Sequence, residues 1–131
     1  MKSCAPRSSI CGCIGALKPG RRANLSFIPF KAQSAGDLCY RTKPGEILRG
    51  HQINEFVVCG CTTVYCVGAT IKNGASRGYA IAVALDAHTT ANRQAAFAEV
   101  LIEHDNDVWR DFIIPGNPLR VKTTAEILSE W

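Results

Sequence analysis

Residues 56–70 read Phe56-Val57-Val58-Cys59-Gly60-Cys61-Thr62-Thr63-Val64-Tyr65-Cys66-Val67-Gly68-Ala69-Thr70. The first four residues form a continuous apolar run without polar alternation, the pattern of a strand buried on both faces of a parallel sheet. Gly60 ends the run. Thr62 and Thr63 carry hydroxyls suited to capping a helix start, and a helix is predicted over 64–77. Gly78 stands where a helix of that length needs a residue with positive φ. The stretch is therefore read as strand, tight turn, helix.

Working downstream, Tyr79 to Leu85 (YAIAVAL) reads as a second buried strand and Asp86-Ala87-His88-Thr89-Thr90 as a polar turn. A long helix is predicted over 91–112, with Ala95, Ala98, Leu101, Ile102 and Trp109 near helical spacing. Pro115-Gly116-Asn117-Pro118 reads as a loop, 119–122 as a short strand, and 124–130 as a last helix capped by Thr123 or Thr124. Strand–helix alternation with right-handed crossovers yields a parallel sheet with helices on its faces. The expected class is α/β, a Rossmann-like three-layer sandwich. In such sheets the working groups gather at the carboxyl ends of the strands. The loops 60–66 and 86–90 lie at that edge.

Upstream the pattern is poorer. Residues 1–24 show no clean period and read as an irregular basic tail, leaving 25–131 as the folded domain. Leu25 to Phe30 (LSFIPF) is a short apolar run weakened as a strand by Pro29. Pro44 suits the first turn of a short helix. Residues 1–50 carry nine Lys/Arg against two Asp/Glu, and residues 51–131 six against nine. The basic third lacks a basic helix face or aromatic-interleaved strand, so no nucleic-acid partner is expected. No apolar run reaches the length of a membrane span, and no membrane partner is expected. The segment Ile10 to Leu17 is too short and too glycine-broken for a signal peptide. Seven cysteines, at 4, 11, 13, 39, 59, 61 and 66, are an odd number, and three fall in one strand-like segment. That argues for a reduced, cytoplasmic setting rather than a secreted disulfide framework. The Cys11/Cys13 and Cys59/Cys61 pairs have C-x-C spacing, and there is no C-x-x-C, so no zinc and no other cofactor is expected.

Cys66 falls in the first turn of a predicted helix, directly after a buried strand. Unpaired N–H groups and the positive end of the helix dipole favour a thiolate there. The same N–H groups suit an oxyanion formed on an attacked carbonyl. A thiolate beside an oxyanion site is the equipment of acyl transfer. A purely structural cysteine at a helix start fits the same position equally well.

The stretch FVVCGCTTVYCVGAT resembles the strand–turn–helix of isochorismatase-like cysteine hydrolases, with Gly60, Thr63, Cys66 and Val67 matching their pattern. Gly78-Tyr79, then Asp86-Ala87-His88-Thr89-Thr90, then Ile102-Glu103-His104 and Asn106, and finally Val121 to Leu128 follow in compatible order, so the resemblance covers 56–131. It implies a six-stranded parallel α/β domain, an Asp–Lys–Cys triad with Cys66 as nucleophile, and Lys31 as the counterpart of the lysine. It also implies a cis peptide between Cys61 and Thr62, and oxyanion donors at the backbone N–H groups of Thr62 and Cys66. The implied activity is hydrolysis of a small amide, carbamoyl or vinyl-ether substrate.

The chain departs from that pattern at several points. Residues 1–36 contain no Asp or Glu. The first strand of the family and its Asp are therefore not recognisable, and Asp37 follows Lys31 in the wrong order. Lys43 is a rival to Lys31. Val64 stands where the family is often acidic. His88 is a candidate base for Cys66, and the plainer expectation is a loop residue holding a backbone carbonyl. The expected function is a cysteine hydrolase. The alternative is an inactive, truncated or frame-disrupted remnant, or a structural subunit of such an enzyme. A sheet lacking its first strands would leave an open edge and apolar faces, which makes a homo-oligomer an expectation.

Overall fold

The structure, a computed structural model, describes residues 13–17, 26–28, 44–50 and 52–130. Among the described residues, five strands form one sheet: β1 (Cys13–Leu17), β2 (Ser26–Ile28), β3 (Glu55–Cys61), β4 (Ala80–Thr89) and β5 (Arg120–Lys122), in the order β2-β1-β3-β4-β5. The helices are α1 (Pro44–Gly50), α2 (Gly68–Ser76), α3 (Ala98–Arg110) and α4 (Thr124–Glu130), and a π-helical turn over Thr63–Val67 leads into α2.

β3, β4 and β5 run parallel, as the alternation of buried runs and helices requires. The register pairs Phe56 with Ile81, Val57 with Ala82 and Val58 with Val83. Period two then sorts the side chains by face. The bulky residues Phe56, Val58, Ile81 and Val83 face Leu48 of α1, Val67, Ile71 and Ala75 around α2, and Trp109 of α3. The smaller Val57, Ala82 and Ala84 face Ile127 of α4. Helices therefore cover both faces, which gives the expected three-layer α/β architecture.

The sheet is mixed rather than wholly parallel. β1 lies antiparallel to both β2 and β3, pairing Cys13 with Cys59 and Leu17 with Glu55. Cys13–Leu17 fall within the stretch read as an irregular tail, and Ser26–Ile28 within the short apolar run at 25–30. The physical reason is edge satisfaction. β3 would otherwise present a row of unpaired N–H and C=O groups, and the nearest extended segment supplies partners.

The largest boundary differences from the sequence reading fall in β4 and α3. β4 continues through Thr89, so 86–90 are not a turn. The register slips between Val58 and Gly60, after which Gly60 pairs with His88 and Cys61 with Thr89. The irregularity lengthens β4 past β3 and carries His88 along the sheet edge. The long helix begins at Ala98 rather than 91. Residues 91–95 are exposed, so no apolar face rewards their helical propensity. Asn92 Oδ1 instead accepts the Ala98 N–H at 2.8 Å and sets the helix start.

Local chemistry explains the remaining ends. Gly78 has φ +84° beyond α2, and the Tyr79 N–H returns to the Gly74 carbonyl at 3.1 Å, closing the helix. Thr123 and Glu126 exchange side-chain and backbone hydrogen bonds as a capping box at the start of α4. Asp86 Oδ1 accepts from both the backbone N–H and the hydroxyl of Thr124, at 2.8 and 2.7 Å, tying β4 to α4.

Candidate active site

The carboxyl end of β3 runs into a turn whose backbone is unusual at two positions. Gly60 has φ +112°, a conformation open to glycine, and the Cys61–Thr62 peptide is cis. The chain then enters the π-helical turn, where the Thr62 carbonyl accepts the N–H groups of Tyr65 at 3.0 Å and Val67 at 3.2 Å. Single π turns inside helices recur at functional sites. Cys66 lies in this turn, 7% exposed.

The turn wraps backbone around the Cys66 sulfur. The Thr62 N–H donates to Sγ at 3.1 Å, and the Cys61 carbonyl oxygen lies 3.2 Å from it. A donor to sulfur favours thiolate, whereas a carbonyl oxygen favours the protonated thiol. In this structure Cys66 is disulfide-bonded. This differs from the expectation of a reduced thiol at this position. Thiolate chemistry here requires reduction first.

Neither Thr62 nor Thr63 caps the helix with its side chain. Thr63 is fully buried and turns its hydroxyl to His88 Nδ1 at 2.9 Å. His88 Nε2 meets Asn106 Oδ1 at 3.0 Å, and Asn106 Nδ2 donates to the Leu85 carbonyl. The last contact orients the amide, so Oδ1 is the acceptor and Nε2 carries the proton. Nδ1 is then the acceptor for the Thr63 hydroxyl. The Trp109 ring meets the His88 ring edge-on at 5.1 Å. Trp109 also lies 3.9 Å from where a Cβ on Gly68 would stand. With both ring nitrogens engaged and the side chain 6% exposed, His88 is a member of a buried relay. Its partners are side chains rather than the backbone carbonyl expected from the sequence, because β4 extends far enough to place the ring between the turn and α3. His104 is exposed on α3.

At the rim, Tyr65 is 57% exposed and the Arg93 guanidinium stacks 4.6 Å from its ring centroid. Lys31, its rival Lys43 and Asp37 lie outside the described residues. Among the described residues, no group of three or more His, Cys, Asp and Glu side chains is placed to hold a metal ion. No helix among them is long and apolar enough to cross a membrane.

A parallel β3–β4–β5 run, helices on both faces and a cysteine in the turn after β3 define an α/β protein with its candidate site at the carboxyl edge of the sheet. A family model for the isochorismatase domain matches residues 28–102, more than half of the chain. The chain belongs to the isochorismatase family. The match begins upstream of residue 56, where the resemblance became legible in the sequence. A search of curated proteins gives no match. Among solved structures, a cysteine hydrolase from Pseudomonas syringae pv. phaseolicola is similar with a TM-score of 0.65 and 22% identity, over 74% of this chain and 46% of that one. An isochorismatase-like hydrolase from Alkaliphilus metalliredigens is similar with a TM-score of 0.62 and 18% identity, over 76% and 48%. The likeness to these two is one of fold, and the chain spans about half the length of the solved structures it matches.

Proposed function

We propose that this chain carries cysteine-hydrolase chemistry on a small amide, carbamoyl or vinyl-ether substrate, with reduced Cys66 as the nucleophile. The observation supporting this reading is the Thr62 N–H at 3.1 Å from Cys66 Sγ, in the turn at the carboxyl end of β3. For an amide, the thiolate forms a C–S bond to the carbonyl carbon, and the carbonyl π pair moves onto oxygen. The backbone N–H groups of Thr62 and Cys66 receive that oxyanion. Its collapse breaks the C–N bond, and the amine leaves with a proton taken from solvent water. A water molecule then adds to the thioester carbonyl, the C–S bond breaks, and the carboxylic acid and the Cys66 thiol are released. Lys31 is assigned the role of the family's lysine. His88 is not assigned the role of base, because its ring nitrogens are engaged by Thr63 and Asn106. A cytoplasmic setting, which keeps Cys66 reduced, accompanies this reading.

The test is hydrolysis of a panel of small amides and carbamoyl compounds by the reduced chain. Turnover that Cys66→Ser abolishes and Lys31→Ala lowers supports the proposal. Turnover that survives Cys66→Ser overturns it. The second reading, an inactive remnant or structural subunit, is favoured by the absence of any carboxylate before Asp37. Loss of a general base typically costs about 10²–10⁴ in rate. That reading expects a reactive Cys66 thiol with no measurable turnover.

A further inference from the structure

We infer that Thr63, His88 and Asn106 form a positioning relay that sets the reactivity of Cys66. The inference rests on the reading of Cys66 as the reacting sulfur. Three observations carry it. First, the turn holding Cys66 has no side-chain cap of its own at Thr62, and α2 has none at Val67. Second, the Thr63 side chain, fully buried in that turn, instead bonds outward to His88 of β4. Third, His88 is held in turn by Asn106 of α3, itself 5% exposed and anchored to the Leu85 carbonyl.

The relay links three separate elements to one peptide. Thr63 directly follows Thr62, whose N–H reaches the sulfur. Fixing the Thr63 side chain therefore fixes the orientation of the donor beside Sγ. The register adds to this, since His88 pairs across the sheet with Gly60, the residue at which the turn begins. Gly60 and Thr63, which flank the Cys61–Thr62 peptide, are thus referenced to the same histidine. A buried polar chain of this kind is satisfied only as a whole, because losing one member leaves the next unpaired. Trp109 closes the side of the histidine ring that the two hydrogen bonds leave open. The function of the arrangement is to keep the Thr62 N–H on the sulfur, so that the thiolate is the favoured form when Cys66 is reduced.

The test compares Thr63→Val with Thr63→Ser in the fully reduced full chain. The readout is the rate of Cys66 alkylation by iodoacetamide against pH, with labelling assigned by peptide mass spectrometry. Thr63→Val keeps the shape and removes the hydroxyl. It is expected to slow Cys66 alkylation at neutral pH about tenfold and move the pH profile upward, the scale of one lost hydrogen bond to a buried site. Thr63→Ser restores the hydroxyl and is expected to lie within about twofold of the parent chain. A folded Thr63→Val chain with the parent profile overturns the relay. If Thr63→Val does not fold, Asn106→Ala serves, and an unchanged profile there overturns it equally. A structural role alone would lower the melting temperature and leave the pH profile in place, which also counts against the inference. The readout is the thiol and not turnover. Failure of the hydrolase reading therefore appears as absent hydrolysis with the alkylation differences intact.

Discussion

The N–H of Thr62 and the carbonyl oxygen of Cys61 approach the Cys66 sulfur from the same turn, at 3.1 and 3.2 Å. They are the two polar groups of one cis peptide. One favours the anion and the other the neutral thiol. The helix that follows adds the positive end of its dipole to the side of the anion.

Reduced Cys66 is therefore expected to be alkylated faster at neutral pH than Cys59 or Cys61, which are more exposed but lie in β3. Without reductant, the disulfide at Cys66 should block labelling there. Limited iodoacetamide labelling with peptide mapping, run with and without reductant, measures both. Labelling of Cys61 well ahead of Cys66 after reduction would show that exposure controls reactivity.

Gly74 permits α2 to approach the sheet. A Cβ at this position would stand 2.8 Å from Phe56 Cζ and 3.0 Å from Ile81 Cδ1, both on fully buried side chains. Gly74→Ala gains helix propensity but forces those residues apart. It is expected to destabilise the fold by about 1–2 kcal/mol, since overpacking outweighs the propensity gain. Urea denaturation measures the difference, and a stabilised variant would contradict the packing argument.

Trp109 is 1% exposed and touches both the main core and His88. Trp109→Ala is expected to cost about 3–5 kcal/mol. Calorimetry should register a large fall in melting temperature, and a loss under about 1 kcal/mol would mean that the site collapses around the vacancy.

Asp86 is held below its ordinary value of 3.8 by hydrogen bonds from the Thr124 hydroxyl and backbone N–H. Its folded-state pKa is depressed, so its stabilising effect is present above the ordinary value and lost as pH falls through the lowered one. Asp86→Ala should therefore lower the melting temperature at pH 7, and the gap from the parent chain should shrink as the buffer is acidified below 3.8. A gap independent of pH would show that the carboxylate contributes no charge-dependent stabilisation. Glu126, lowered by the backbone and side chain of Thr123, follows the same sign.

The sequence by itself determined the elements whose signals are local. The apolar runs of β3 and β4 could be strands only if buried on both faces, and Gly78 and the threonine cap at Thr123 or Thr124 mark helix ends through backbone and capping chemistry within a few residues. Cys66 was legible for the same reason, as it follows one such run at a fixed short distance. The tertiary structure decided what depends on distant partners. The antiparallel pairing of β1 arises because β3 offers an open edge to it. The extension of β4 through His88 arises from a register slip that no local pattern records. Thr63 reads as a helix cap until His88, 25 residues on, competes for its hydroxyl. A hydrogen bond of that kind is set by the fold's geometry, and residue type alone does not encode its partner.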